Sequence, residues 1–161
     1  MNIKIISLFL VTLAYATNAA PATTPLHEAA DNGNVAELKA LLATKQFNIN
    51  AQDDHGLTPL HYAAWKNQPP CITTLIQGGA NVNIRDQHQW TPLHFAAFCG
   101  RLACAIKLVN GGADIAASND EGKTPVMLAV CAQRFSIVEY LRKKELEQKQ
   151  KATTNESRLT K

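Results

Sequence analysis

Thr58-Pro59-Leu60-His61 is the stretch whose reading decides the fold. It recurs as Thr24-Pro25-Leu26-His27, as Thr91-Pro92-Leu93-His94, and in eroded form as Thr124-Pro125-Val126-Met127. Successive threonines lie 34, 33 and 33 residues apart. A fixed period of this size marks supersecondary units that cannot bury an apolar face alone and must stack. Threonine caps the free N–H groups of a first helical turn. Proline at the first helical position lacks an N–H that would be unpaired there, and its φ suits the helix. Each copy therefore starts a short helix.

Working outward, the first repeat predicts one helix from Pro25 to Asn32, stopped at Gly33. A second follows from about Val35 to Ala43, with Val35, Leu38, Leu41 and Leu42 as its inward stripe. In repeat two Asn67 replaces the helix-ending glycine, and Pro69-Pro70 suits only the first turn of a helix. Gly78-Gly79 ends that helix. Repeat three is the most regular, divided by Gly100 and ended by Gly111-Gly112. Repeat four has Gln133 at the dividing position, and its second helix runs into Arg142-Lys143-Lys144-Glu145 without an apolar return. A terminal repeat with a solvated outer face is expected there. Residues 144–161 read as a polar, basic tail, disordered beyond about Lys149.

These features together resemble the ankyrin repeat: Thr-Pro-Leu-His-x-Ala-Ala, a glycine three residues on, a leucine-rich second helix, Gly-Gly-Ala-(Asn/Asp)-(Val/Ile)-Asn and a polar turn. The resemblance covers residues 22–143, in repeats at about 24–55, 58–88, 91–120 and 124–143. It implies an all-α solenoid of about four helix-turn-helix repeats joined by short β-hairpin turns. Departures are Asn67 and Gln133 for glycine, Ala116 for the hairpin asparagine, and Met127 for histidine.

Residues 1–20 precede the first repeat. Lys4 leads an apolar run from Ile5 to Tyr15, and small residues follow, with Ala14-Tyr15-Ala16 in an A-x-A cleavage pattern. The run is shorter than the ~20 residues needed to cross a bilayer. We read it as a cleaved signal peptide, with the mature chain starting between Thr17 and Ala22. The protein is then exported, to the periplasm or secreted, with no stable membrane insertion after cleavage.

The net charge of +3 is unevenly placed. Residues 21–141 hold 8 Lys/Arg against 10 Asp/Glu, and residues 142–161 hold 7 against 3. A mildly acidic repeat body argues against nucleic acid as a partner.

His27, His61 and His94 look like a metal column. Equivalent positions on stacked helices, however, lie ~8–10 Å apart, whereas ligands sit ~2 Å from zinc. The resemblance implies instead that each histidine ties neighbouring repeats together. Cys71 and Cys104 share a repeat position facing inward and read as small core hydrophobes. Cys99 and Cys131 fall near the ends of consecutive first helices, and a native disulfide, Cys99–Cys104 included, stays open. No C-x-x-C, G-x-S-x-G, phosphate loop or H-E-x-x-H occurs. Neither a cofactor nor a metal is expected. A small cysteine-dependent enzyme using Cys99 beside His94 is the distant alternative.

The expectation is a monomeric, non-enzymatic module that binds a protein partner. The runner-up is a secreted effector engaging host proteins. Aligning the repeats puts Leu57 and Trp90 at one position and Trp65 and Phe98 at another. The resemblance implies that both positions are variable and face the concave side. Leu57, Trp65, Trp90 and Phe98 are therefore expected to form one exposed apolar patch over repeats two and three. Lys66, Cys99 and the tip histidines His55 and His88 lie beside it.

Overall fold

The computed structural model describes the backbone of residues 23–159 and the side chains as far as residue 151. The expected signal segment and its cleavage region lie outside the described residues. Four short helices start where the tetrapeptides predict: α1 (Pro25–Asp31), α3 (Pro59–Trp65), α5 (Pro92–Cys99) and α7 (Pro125–Cys131). Each is followed by a partner: α2 (Val35–Thr44), α4 (Pro69–Gln77), α6 (Leu102–Asn110) and α8 (Phe135–Leu159).

The first helices pack side by side in the order α1, α3, α5, α7, and the second helices form the layer behind them. Sequence explains the close approach. Ala29-Ala30, Ala63-Ala64 and Ala96-Ala97 are all at most 1% exposed, with Leu26, Leu60 and Leu93 beside them. Small side chains let the backbones of the first helices come together, and each fully buried leucine contributes roughly 1.5–3 kcal/mol. From the second layer Leu38, Leu41, Ile72, Leu75, Leu108, Ile137 and Leu141 close the same core.

The junction inside each repeat needs a left-handed residue. Gly33, Asn67, Gly100 and Gln133 stand at the same repeat position with φ of 72°, 61°, 77° and 57°. Asn67 thus behaves as its type allows, and Gln133 adopts the conformation at a side-chain cost. At Gly100 space matters too, since a Cβ there would lie 2.9 Å from Cδ of Arg134.

Between repeats the chain makes polar turns. Asp53, Asp86 and Asn119 each donate a backbone N–H to the carbonyl of Leu57, Trp90 and Lys123. Adjacent tips are joined by Gln87 N–H to His55 C=O and by Asp120 N–H to His88 C=O. No strand is present among the described residues, so the expected β-hairpins are turns closed by single bonds. Asparagines brace the layer beneath: Asn50 Oδ1 accepts from Asn81 N–H and Asn83 Oδ1 from Asp114 N–H, both at 2.8 Å. The same interval from Ala116 reaches residue 147, which lies inside α8. An asparagine there would meet no free N–H, which accounts for the alanine.

Two features of the C-terminal end differ from expectation. The helix α8 is continuous to Leu159, where the sequence suggested a disordered tail. From Phe135 to Lys161 there is no glycine or proline, and Glu, Lys, Gln, Leu and Arg are good helix formers. Lys144 and Glu147, paired at 2.8 Å one turn apart, add support. The outer face of repeat four is also not wholly polar. Phe135, Leu146, Met127 and Val130 are 75%, 60%, 51% and 47% exposed.

Candidate protein-binding surface

The tetrapeptide histidines are buried and fully engaged. Nδ1 of His27, His61 and His94 accepts the backbone N–H of Thr24, Thr58 and Thr91 at 3.0–3.1 Å. Because Nδ1 accepts, Nε2 carries the proton. It donates to the carbonyl of Leu57, Trp90 and Lys123 respectively, at 3.0, 3.1 and 3.1 Å. Each ring thus locks one helix start to the turn of the next repeat. Burial lowers all three pKa values, that of His61 to about 4. These histidines belong to the scaffold, and the pairing of His94 with Cys99 does not form, since both ring nitrogens are taken up. Among the described residues no group of three or more His, Cys, Asp or Glu is placed to hold a metal ion.

All four cysteines are free thiols, Cys71 and Cys104 buried. Burial pushes the Cys104 thiol up to about 11 and raises that of Cys99. Neither has the lowered pKa of an activated nucleophile.

Aromatic rings from α3, α5 and the turn between repeats two and three form a continuous strip. Trp65 lies 6.4 Å from Tyr62 and 6.5 Å from Phe95. Trp90 lies 5.2 Å from Phe95 and 5.7 Å from Phe98 in an edge-on arrangement. Trp65 and Phe98 are 43% and 47% exposed, and Trp90 is half-buried. Three of the four expected apolar residues are therefore joined in one strip. Leu57 is half-buried, and its contribution is the carbonyl that holds His27.

Tyr62 and Phe95 were not singled out from the sequence, yet they link the tryptophans. Both stand four residues after their threonine, so aligning the repeats at that position reveals them. Each also packs edge-on against a scaffold histidine, Tyr62 on His27 and Phe95 on His61. The strip is thereby anchored to the core at one side and open at the other.

The polar candidates surround it. Lys66 places its ammonium 5.1 Å from the Trp65 ring and 3.3 Å from Asp31 of the preceding repeat. His55 and His88 stand exposed at adjacent tips, and Nδ1 of His88 is 3.4 Å from Asp120. Cys99 is half-buried at the end of α5 beside Phe98. The arrangement offers a rigid apolar ridge with donors and charges at its edge and no nucleophile–base pair.

The family model for ankyrin repeats (3 copies) matches residues 2–86 and 64–152. Among curated proteins the chain is similar to alpha-latrotoxin-Lg1a of Latrodectus geometricus, 52% identical over 40 residues, which is 25% of this chain and 3% of the toxin. It is also similar to the E3 ubiquitin-protein ligase XB3 of Oryza sativa subsp. japonica, 50% identical over 32 residues, 20% of this chain and 7% of the ligase. A third relative is the ankyrin repeat domain-containing protein SAT10 of Stachybotrys chartarum, 44% identical over 55 residues, 34% of this chain and 3% of that protein. The chain thus spans only a few per cent of the length of these relatives.

Proposed function

From the premise that the chain belongs to the ankyrin-repeat family, whose repeats indicate a protein–protein interaction module, we propose that it holds its partner on the aromatic strip of repeats two and three. The observation that carries this reading is the strip itself. Core packing asks for the inner edges of Tyr62 and Phe95, but not for Trp65 and Phe98 at 43% and 47% exposure. Trp is enriched where interfaces concentrate their energy, and truncating such an anchor costs ≥~2 kcal/mol of binding. Held by neighbouring rings, the side chains lose little freedom on binding. The work is binding rather than catalysis, with the tips and Lys66 as the polar rim.

Trp65→Ala tests this most cleanly, since Trp65 is exposed and donates nothing to the scaffold histidines. The variant should keep the unfolding midpoint and capture the partner at least tenfold more weakly. Full-strength capture would remove the strip from the reading. Trp90 packs on His94, Phe95 and Phe98, so its truncation mixes binding with stability.

Export belongs to the same proposal and rests on residues 1–20. In its own host the protein should appear outside the cytoplasm with an intact mass lacking residues 1–16 at least. A mass that includes Met1 to Tyr15 would overturn it. Partition between periplasm and medium separates a periplasmic module from a secreted effector.

A further inference from the structure

The aspartates in the turns that lead into repeats two and three, Asp53 and Asp86, do the same job with one oxygen and differ at the other. Asp53 Oδ1 accepts the N–H groups of His55 and Leu57 at 2.9 and 2.8 Å. Asp86 Oδ1 accepts those of His88 and Trp90 at the same distances. In repeat two the second oxygen, Oδ2, accepts the hydroxyl of Tyr62 at 2.9 Å. The ring equivalent to Tyr62 in repeat three is Phe95, which has no hydroxyl. Asp86 is only 7% exposed; no donor of the described residues bonds its Oδ2, which is open to solvent.

A cavity of about 370 Å³ opens at this place, lined by Asp86, His88, Trp90, Phe95, Asp120 and Glu121. Two aromatic and three acidic residues are among those that line it. The nearby cations are committed elsewhere: Arg85 donates to the carbonyl of Ser118 at 2.6 Å, and Lys123 pairs with Glu121 at 2.6 Å. His88 approaches Asp120 only to 3.4 Å. Asp86 and Asp120 therefore line the cavity without a paired lysine or arginine among the described residues. In the turn that leads into repeat four the residue is Asn119, and the ring position of that repeat is Leu128, so the charge does not recur there.

We propose that this cavity receives an arginine side chain of the protein partner. Guanidinium is planar and stacks on aromatic faces, while its N–H fork suits carboxylates. Resting against the rings of Trp90 and Phe95 on the cavity side, it supplies the donor that Tyr62 supplies to Asp53. The site adjoins the aromatic strip through Trp90 and Phe95, and its assignment to a protein partner rests on the function proposed above.

The chain itself provides two conservative variants. Phe95→Tyr copies repeat two and places a hydroxyl where the guanidinium would donate. Asp86→Asn copies Asn119, whose Oδ1 holds the same turn N–H groups. Both should keep the unfolding midpoint at or above wild type. The probe is N-acetyl-arginine amide, titrated to tens of millimolar while the two indole N–H resonances are followed, with the neutral citrulline counterpart as control. Wild type should show a saturable shift of the Trp90 resonance with arginine and at least tenfold weaker binding of citrulline. Each variant should lose the arginine response at least tenfold. No saturation, equal response to citrulline, or an unchanged response in folded Phe95→Tyr overturns the site. If the arginine response fails while Trp65→Ala still loses the partner, the site falls and the aromatic-strip reading stands. If the arginine response holds while Trp65→Ala captures at full strength, the site stands and that reading falls.

Discussion

At the scale of single residues, the histidines carry a pH dependence whose sign follows from their burial. Their folded pKa values lie below the usual 6.5, that of His61 at about 4. In that window the unfolded chain binds more protons than the folded one, so stability rises with pH. The contribution is complete above about pH 6.5 and is lost as pH falls towards 4; for His61 alone the loss is on the order of 3 kcal/mol. Asp53, held low by the N–H groups of Leu57 and His55 and the Tyr62 hydroxyl despite burial, adds a further loss below its ordinary range. Urea midpoints should therefore fall steeply from pH 7 to 4. His61→Met, copying Met127, should lower the midpoint at pH 7 and flatten that fall, and an unchanged slope would contradict the bonding described. The threonines sort by the same environment. Thr91 is 1% exposed with its hydroxyl 2.8 Å from His94 Nδ1, whereas Thr124 receives only the Met127 N–H at 3.4 Å. Thr91→Ala should cost roughly 1–2 kcal/mol and more than Thr124→Ala. Equal urea midpoints would remove this ranking.

At the scale of elements, the helix–helix junction offers a paired test. Gly100→Ala meets both a φ of 77° and a Cβ 2.9 Å from Arg134. It should cost about 1–2 kcal/mol. Gln133→Gly removes the left-handed strain at φ 57° and should be neutral or stabilising by less than ~1 kcal/mol. Thermal melts of the two variants moving in the same direction would contradict the junction geometry. The helix starts and this junction were legible because proline, threonine and glycine act on backbone geometry locally. The length of α8 was not, because the polar composition of residues 144–159 suits a solvated helix as well as a disordered end, and no cap or breaker separates them. The turns likewise look like hairpins in sequence, and only the single closing bond at each tip shows that no ladder forms.

At the scale of the whole molecule, the tetrapeptides become a row of histidine locks, and the departures among repeats gather the aromatic rings on repeats two and three. Period and packing were readable from one chain because every repeat states them again. The strip was half-readable: Trp65, Trp90 and Phe98 stood out as large residues at variable positions, whereas Tyr62 and Phe95, inside the first helices, were not singled out. The acidic cavity was out of reach, since a missing hydroxyl on Phe95 matters only once Tyr62 is seen bonded to Asp53. The central claim is that a stacked scaffold presents this strip to a protein partner. Hydroxyl-radical footprinting of the captured complex tests it directly, because Trp65, Phe98 and Phe135 are all exposed in the free protein. Binding should protect Trp65 and Phe98 several-fold and leave Phe135 as reactive as before. Protection of Phe135 with Trp65 and Phe98 unchanged would place the partner on the terminal repeat and contradict the account.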